Sequence, residues 1–209
     1  MVSARVLSLL TVLWGFAGSA GCNRPPTQSP SQHADPVLRA RKEKDLTYRN
    51  DRNSPLRDED KARFGGLDYY PLNPQYRFRV TLQRYPAPTN LRLATNTGEQ
   101  RDSLRYGYFE FSASGQTCQL QVYKVMDSLE GSGTHLFVPF RDASSGKETY
   151  GGGRYIDLQE NTTGIYDLDF NIAYNPTCAY GQNFSCPLPP RENTLSVPIP
   201  AGEKKFSIK

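Results

Sequence analysis

The stretch Phe109-Glu110-Phe111-Ser112-Ala113-Ser114-Gly115-Gln116-Thr117-Cys118-Gln119-Leu120-Gln121-Val122 decides the fold class. Phe109 and Phe111 before Ser114-Gly115, and Cys118, Leu120 and Val122 after it, alternate with polar residues, which is the period of two strands sharing one dry face across a tight turn. The same period recurs on both sides of this hairpin. Tyr76, Phe78, Val80 and Leu82 alternate with Arg77, Arg79, Thr81 and Gln83. Leu136, Val138 and Phe140 form another such run, in which Pro139 lacks an N–H and predicts a sheet edge. Leu168, Phe170 and Ile172 follow, with Asp169 and Asn171 on the opposite face. Finally Leu195, Val197, Ile199 and Ala201 alternate with Ser196, Pro198 and Pro200, a pattern that predicts a border strand. Many short strands with turns between them indicate a mainly β fold, an antiparallel barrel or sandwich.

Composition agrees with that reading. Only 37% of the 209 residues are apolar, yet 13 Tyr and 10 Phe supply large strand-favouring side chains, which argues against a helical bundle. Helical signals are confined to the N-terminal side of the first strand. Asp35-Pro36 offers an N-cap with proline at the first helical position, predicting an exposed helix to about Arg49. A second, short helix is predicted from about Arg57 to Phe64, stopped by Gly65-Gly66.

Before these helices, Arg5 precedes an apolar run from Val6 to Ala17, then Gly18, Ser19, Ala20, Gly21 and Cys22. A run of that length is short of the roughly 18 or more apolar residues that span a bilayer, so residues 1–21 read as a signal peptide to be removed. Ser19-Ala20-Gly21-Cys22 resembles a bacterial lipobox, with Ser19 where leucine is usual, so the Cys22 thiol is the expected site of lipidation, a palmitate-type anchor. Cleavage after Ala20 without lipid is the alternative. Residues 22–34, rich in Pro, Ser and Gln, read as a flexible tether, and residues 35–209 as one β-rich domain. The expected location is the cell envelope, with the membrane as a partner through the lipid.

The net charge of +4 comes from 25 basic and 21 acidic residues, mostly interspersed, which reads as a mixed solvated surface. Arg39, Arg41, Lys42 and Lys44 are interrupted by Glu43 and Asp45; they coat a helix, and no nucleic-acid partner is expected.

Two segments depart from ordinary strand and turn sequence, Arg141 to Tyr155 and Asp169 to Tyr180, the second continuing to Cys186-Pro187-Leu188-Pro189-Pro190. Together with Phe64-Gly65-Gly66-Leu67, Glu192-Asn193 and Ala201-Gly202-Glu203, they closely resemble the bacterial and archaeal family known as domain of unknown function 1684. The resemblance runs from the first helix to the C-terminus and implies no activity and no catalytic residue.

Read for chemistry, Gly146-Lys147 fails as a phosphate loop because Arg141 stands where its first glycine belongs and Glu148 follows the lysine. Lys147, Tyr150 and Arg154 lie close together beside Gly151-Gly152-Gly153, and could hold a carboxylate or phosphate. With Asp169 and Asn171 facing them inside a barrel, these five residues form the candidate ligand-binding set. The structural alternative makes Asp142 to Gly146 a turn and the glycines a bulge, and pairs Arg154 with Asp169 in a buried network. Among the cysteines, a Cys178–Cys186 disulfide is expected in an oxidising compartment, with Cys118 an inert core thiol. His135 reads as a surface residue, and neither a metal nor a cofactor is expected. Three functions follow: an envelope lipoprotein whose barrel binds a small anionic ligand or a protein partner, an enzyme (hydrolase or cofactor-assisted oxidoreductase) using the same pocket, or a structural and assembly role.

Overall fold

A computed structural model describes residues 30–125, 135–181 and 184–208. The expected signal peptide, residues 1–21, and Cys22 lie outside the described residues. Helix α1 (Pro30–Asn50) starts before the predicted N-cap, so the end of the expected tether is helical and Pro36 lies inside the helix. Helix α2 (Asp58–Lys61) is a single turn with Asp58, Glu59 and Asp60 at its N-terminal end, where the helix dipole favours them.

Among the described residues seven strands follow: β1 (Arg77–Thr81), β2 (Gln83–Ala94), β3 (Gln100–Ala113), β4 (Gln116–Val125), β5 (His135–Phe140), β6 (Arg154–Gln159) and β7 (Ile165–Asp169). β2 to β6 form a five-stranded antiparallel sheet in sequence order, and β1 pairs with β7 in a separate antiparallel ribbon. The fold is mainly β with two N-terminal helices, as the alternation indicated; the sheets do not close into a barrel. The predicted β3–β4 hairpin forms with Phe111 opposite Cys118 and Phe109 opposite Leu120. Ser114 and Gly115 both take positive φ (51° and 74°), the left-handed pair that matches a two-residue turn to the twist of the strands.

The main core joins the inward side chains of the sheet, among them Phe109, Leu120, Val138 and Ile156, to Val80 and Leu168 of the ribbon. Phe170 sits among them, its ring 5.4 Å from that of Phe111 and 5.1 Å from that of Phe140. Leu195, Val197, Ile199 and Ala201 are buried in the same core while the residues between them are not. The predicted alternation is therefore present, but this segment forms no strand: Pro198 and Pro200 have no N–H to donate, and it meets the loop after β5 through two bonds, Leu195 donating to the Arg141 carbonyl and the Val197 carbonyl accepting from Ala143 N–H.

The structure moves two elements from their predicted places. β5 lies between β4 and β6 rather than at an edge. Pro139 is accommodated there because the fully buried Asn193 side chain inserts between the strands: Nδ2 donates to the Gln121 and Pro139 carbonyls, and Oδ1 accepts from the Gln121 N–H. A side-chain amide supplies the hydrogen bonds that proline removes from the ladder. The strand predicted through Ile172 ends at Asp169, where the chain turns into a 3₁₀ segment, Phe170–Ile172, with Asp169 Oδ1 accepting from Asn171 N–H.

Arg154, at the head of β6, is the largest fully buried side chain. One terminal nitrogen donates to Asp142 Oδ2 at 2.7 Å and to the Ile199 carbonyl at 2.9 Å, and the other to the Ala201 and Glu203 carbonyls. Removing one member of a buried, hydrogen-bonded ion pair strands the other, at about 3–5 kcal/mol, whereas a partly exposed pair contributes about 0–1 kcal/mol. Arg154→Met should therefore lower the unfolding free energy by about 3–5 kcal/mol in urea titrations, against at most about 1 kcal/mol for Arg77→Met, whose pair with Asp167 is partly exposed. Equal losses would contradict this account.

Candidate ligand-binding site

Among the described apolar side chains of α1 Val37 alone is buried; Leu38 and Leu46 are about half exposed. The helix is held by polar clamps instead. Arg41 donates one terminal nitrogen to the Tyr70 carbonyl (3.0 Å) and the other to the Asn171 carbonyl (2.9 Å), while its guanidinium stacks 4.4 Å from the centre of the Tyr69 ring. Asp45 Oδ1 accepts from Leu67 N–H, and Arg49 donates to the Phe64 carbonyl. Lys44 reaches Glu203 Oε2 at 2.7 Å and stands 5.2, 5.3 and 5.6 Å from the ring centres of Tyr48, Tyr174 and Tyr180, so its charge meets both a carboxylate and aromatic faces.

Glu203 is 1% exposed and organises the floor of this region. Besides Lys44 it accepts from the Tyr180 hydroxyl and from Asn175 Nδ2 at 2.9 Å. Gly202 places it there: φ is +80°, and a Cβ would stand 2.6 Å from the Phe170 carbonyl oxygen and 2.7 Å from that of Ala173, so only glycine fits. Tyr174 is fixed by reciprocal backbone bonds with Tyr155, which add its segment to the free edge of β6.

Between α1 and the 171–177 segment lies a cavity of about 300 Å³, with Arg41, Lys44, Tyr48, Tyr69, Asn175 and Glu203 in its walls. Three polar atoms of this wall are buried without a hydrogen-bond partner: Arg41 Nε, the Tyr69 hydroxyl and Asn175 Oδ1. Asn175 is 1% exposed, and both bonds of its Nδ2, to Glu203 and to the Lys204 carbonyl, orient the amide so that Oδ1 is the atom left over. A buried polar atom without a partner costs about 1–3 kcal/mol, and three in one cavity mark a place where a bound group would be recognised. Burial also lowers the Arg41 pKa. The Tyr69 phenol is pushed upward, by burial first and then by the Glu203 and Asp45 charges, so it is a hydroxyl donor across the neutral range.

The five residues singled out from the sequence do not share one hollow. Lys147 is exposed in a turn, and Tyr150 points its hydroxyl at Cys178 Sγ, 3.8 Å away. Arg154 is enclosed in its network with Asp142; the expected pairing with Asp169 is replaced because Asp142 lies in the loop directly after β5, the neighbour of β6. The three glycines form the turn leading into β6, not a bulge. Asp169 and Asn171 are together and buried, Asn171 donating through both nitrogens to Asp169 Oδ1, and Asn171 does line the cavity. Cys118, Cys178 and Cys186 are free thiols, so the expected Cys178–Cys186 bridge is not formed here. The two thiols are neighbours: burial, followed by hydrogen bonding with Cys186, pushes the Cys178 thiol up to about 11. Arg41, Tyr69, Asn175 and Glu203 were not joined into a site by the sequence because they come from four separate segments with no common spacing; Asn175 and Glu203 stand in strings that carry the family resemblance, which implies no role for them.

A family model described as "Protein of unknown function (DUF1684)" matches residues 62–204. The chain belongs to this family. A DUF1684 match of that extent starts after α2, so the cavity is walled on one side from α1, outside the match, and on the other by Asn171, Asn175 and Glu203, inside it. The chain is also similar to the uncharacterized protein from gene locus rrnAC0354 of Haloarcula marismortui, solved by solution NMR, at 35% identity over 83% of this chain and 95% of that one, with a TM-score of 0.64. Among curated proteins none matches the sequence.

The buried tyrosines dictate an alkaline limit. Burial pushes Tyr70 and Tyr150 up to about 12, and pushes Tyr48, Tyr155, Tyr174 and Tyr180 upward as well. Below about pH 10 the phenols are neutral whether folded or not; above it the unfolded chain releases protons that the fold retains, so stability falls as pH rises from about 10 through the folded values. The melting temperature should decline from about pH 10 upward, with phenolate absorbance appearing together with loss of near-ultraviolet circular dichroism. Ionisation of these phenols near pH 10 in an intact fold would contradict the burial argument.

Proposed function

We propose that this protein is a non-enzymatic binding module of the cell envelope, tethered by lipid at Cys22, that takes a small anionic molecule into the cavity beneath α1. The observation that carries the reading is the set of unpartnered atoms, Arg41 Nε, the Tyr69 hydroxyl and Asn175 Oδ1, in a cavity whose walls hold two cations, Arg41 and Lys44, against one carboxylate, Glu203. Two of those atoms are donors, suited to an anion's oxygens, and the tyrosine rings provide apolar walls of the kind that enclose small ligands. A binding role is favoured over a catalytic one because Glu203, the carboxylate in this wall, is already held by Lys44, Tyr180 and Asn175. The location rests on the sequence of the leader and the lipobox-like Ser19-Ala20-Gly21-Cys22.

A hydrogen bond to a charged ligand is worth about 1.5–3 kcal/mol, so Tyr69→Phe should weaken anion binding by about 10- to 150-fold in calorimetric titrations while leaving the unliganded melting temperature equal or higher. Acetate, benzoate and phosphate are suitable probes, with acetamide and methylammonium as neutral and cationic controls. Controls that bind as tightly as the anions, or a Tyr69→Phe protein that binds as wild type does, would overturn the reading. For the tether, intact-mass measurement after expression in a bacterial host should give a diacylglyceryl-modified chain beginning at Cys22; an unmodified product beginning at Gly21 would refute it.

A further inference from the structure

A second hollow of about 300 Å³ adjoins the cavity along α1, walled by Pro36, Arg77, Asp167 and Asp169 and sharing Val37, Ala40 and Ile172 with it. The shared residues are all apolar. Ile172 is 42% exposed, a large apolar side chain left in water at the junction of the two spaces. Its position follows from the 3₁₀ turn Phe170–Ile172, which sends Phe170 into the core and Ile172 outward.

The two ends differ in charge. The inner cavity has Arg41, Lys44 and the unpartnered donors of Arg41 and Tyr69. The outer hollow has Asp167 and Asp169, with Arg77 engaged by Asp167 at 2.7 Å. An anionic group is favoured at the inner end, and a second negative charge is disfavoured at the outer one, with an apolar passage between them.

We propose that the ligand is an aliphatic monocarboxylate, with its carboxylate in the inner cavity beside Arg41 and Tyr69 and its tail running over Val37, Ala40 and Ile172 into the outer hollow. This rests on the binding role proposed above and names the ligand class for it. From Lys44 back to Pro36 the helix rises about 12 Å, which suits an extended tail of roughly six to ten carbons. Each methylene removed from water contributes about 0.8 kcal/mol, about a four-fold gain in affinity.

Calorimetric titration of the mature full-length chain with acetate, butanoate, hexanoate, octanoate and decanoate should show affinity rising up to about four-fold per methylene and levelling once the outer hollow is full. Octan-1-ol, octylamine and octanedioate should each bind at least about ten-fold more weakly than octanoate, for want of the charge, for its wrong sign and for the second carboxylate respectively. Ile172→Asp, at a position exposed enough to leave folding intact, should flatten the chain-length series. Acetate binding as tightly as octanoate, or an Ile172→Asp protein that keeps the full series, would overturn the tail while sparing the anion site. Octanol or octylamine matching octanoate would overturn the carboxylate head; no binding by any carboxylate while phosphate binds would overturn this proposal alone, and no binding by phosphate either would overturn the role it rests on.

Discussion

The guanidinium of Arg154 is the tie on which the arrangement of this molecule depends. A charged group of that size is excluded from water only if its partners are all in place, and those partners are Asp142 in the loop after β5 and the carbonyls of Ile199, Ala201 and Glu203 near the C-terminus. The proline-containing C-terminal segment has too few N–H groups to join a sheet as a strand. Arg154 bonds its carbonyls instead and presses Ile199 and Ala201 into the core beside Phe140 and Phe170. Asn193 plays a corresponding part at its start, completing the β4–β5 pairing that Pro139 interrupts.

The position of Glu203 is a consequence of that tie. With its own carbonyl bonded to Arg154 and its predecessor Gly202 wedged between the Phe170 and Ala173 carbonyls, its carboxylate is delivered to Lys44, Asn175 and Tyr180. Helix α1, which buries little apolar surface, is thereby fastened through charge and hydrogen bonds. A helix packed through apolar contact would close on its support; one held at a distance by arginine and lysine side chains leaves space beneath it, and that space is the cavity.

Much of the β architecture was legible from alternation alone. The β3–β4 hairpin, its Ser114-Gly115 turn and the buried faces of β1 and the C-terminal segment follow from period-two patterns, because a strand with one dry face leaves that mark whatever it pairs with. Pairing itself was less legible. Pro139 pointed to an edge, and a distant Asn193 reversed that inference; Ile172 continued an alternation that the Asp169 side chain ended by capping a 3₁₀ turn. For the candidate site, Lys147, Tyr150 and Arg154 stood out as polar residues beside glycines, yet that concentration marks a turn and a buried tie. Of the five residues named, Asn171 reached the cavity described here. The remaining wall was not visible because nothing along the chain links Arg41, Tyr69, Asn175 and Glu203, which meet only in the fold.

By itself the sequence determined the class of fold, the confinement of helix to the N-terminal side and the resemblance to a family whose model matches residues 62–204, since these depend on local period and on strings of neighbouring residues. Tertiary structure alone decided which carboxylate Arg154 pairs with, that the sheets stay open, and that a hollow lies under α1. The reason is physical: a cavity and the partners of a buried charge are set by side chains meeting across long separations in the chain, as Lys44 meets Glu203 and Arg41 meets Asn171, and no periodicity along the chain encodes such meetings.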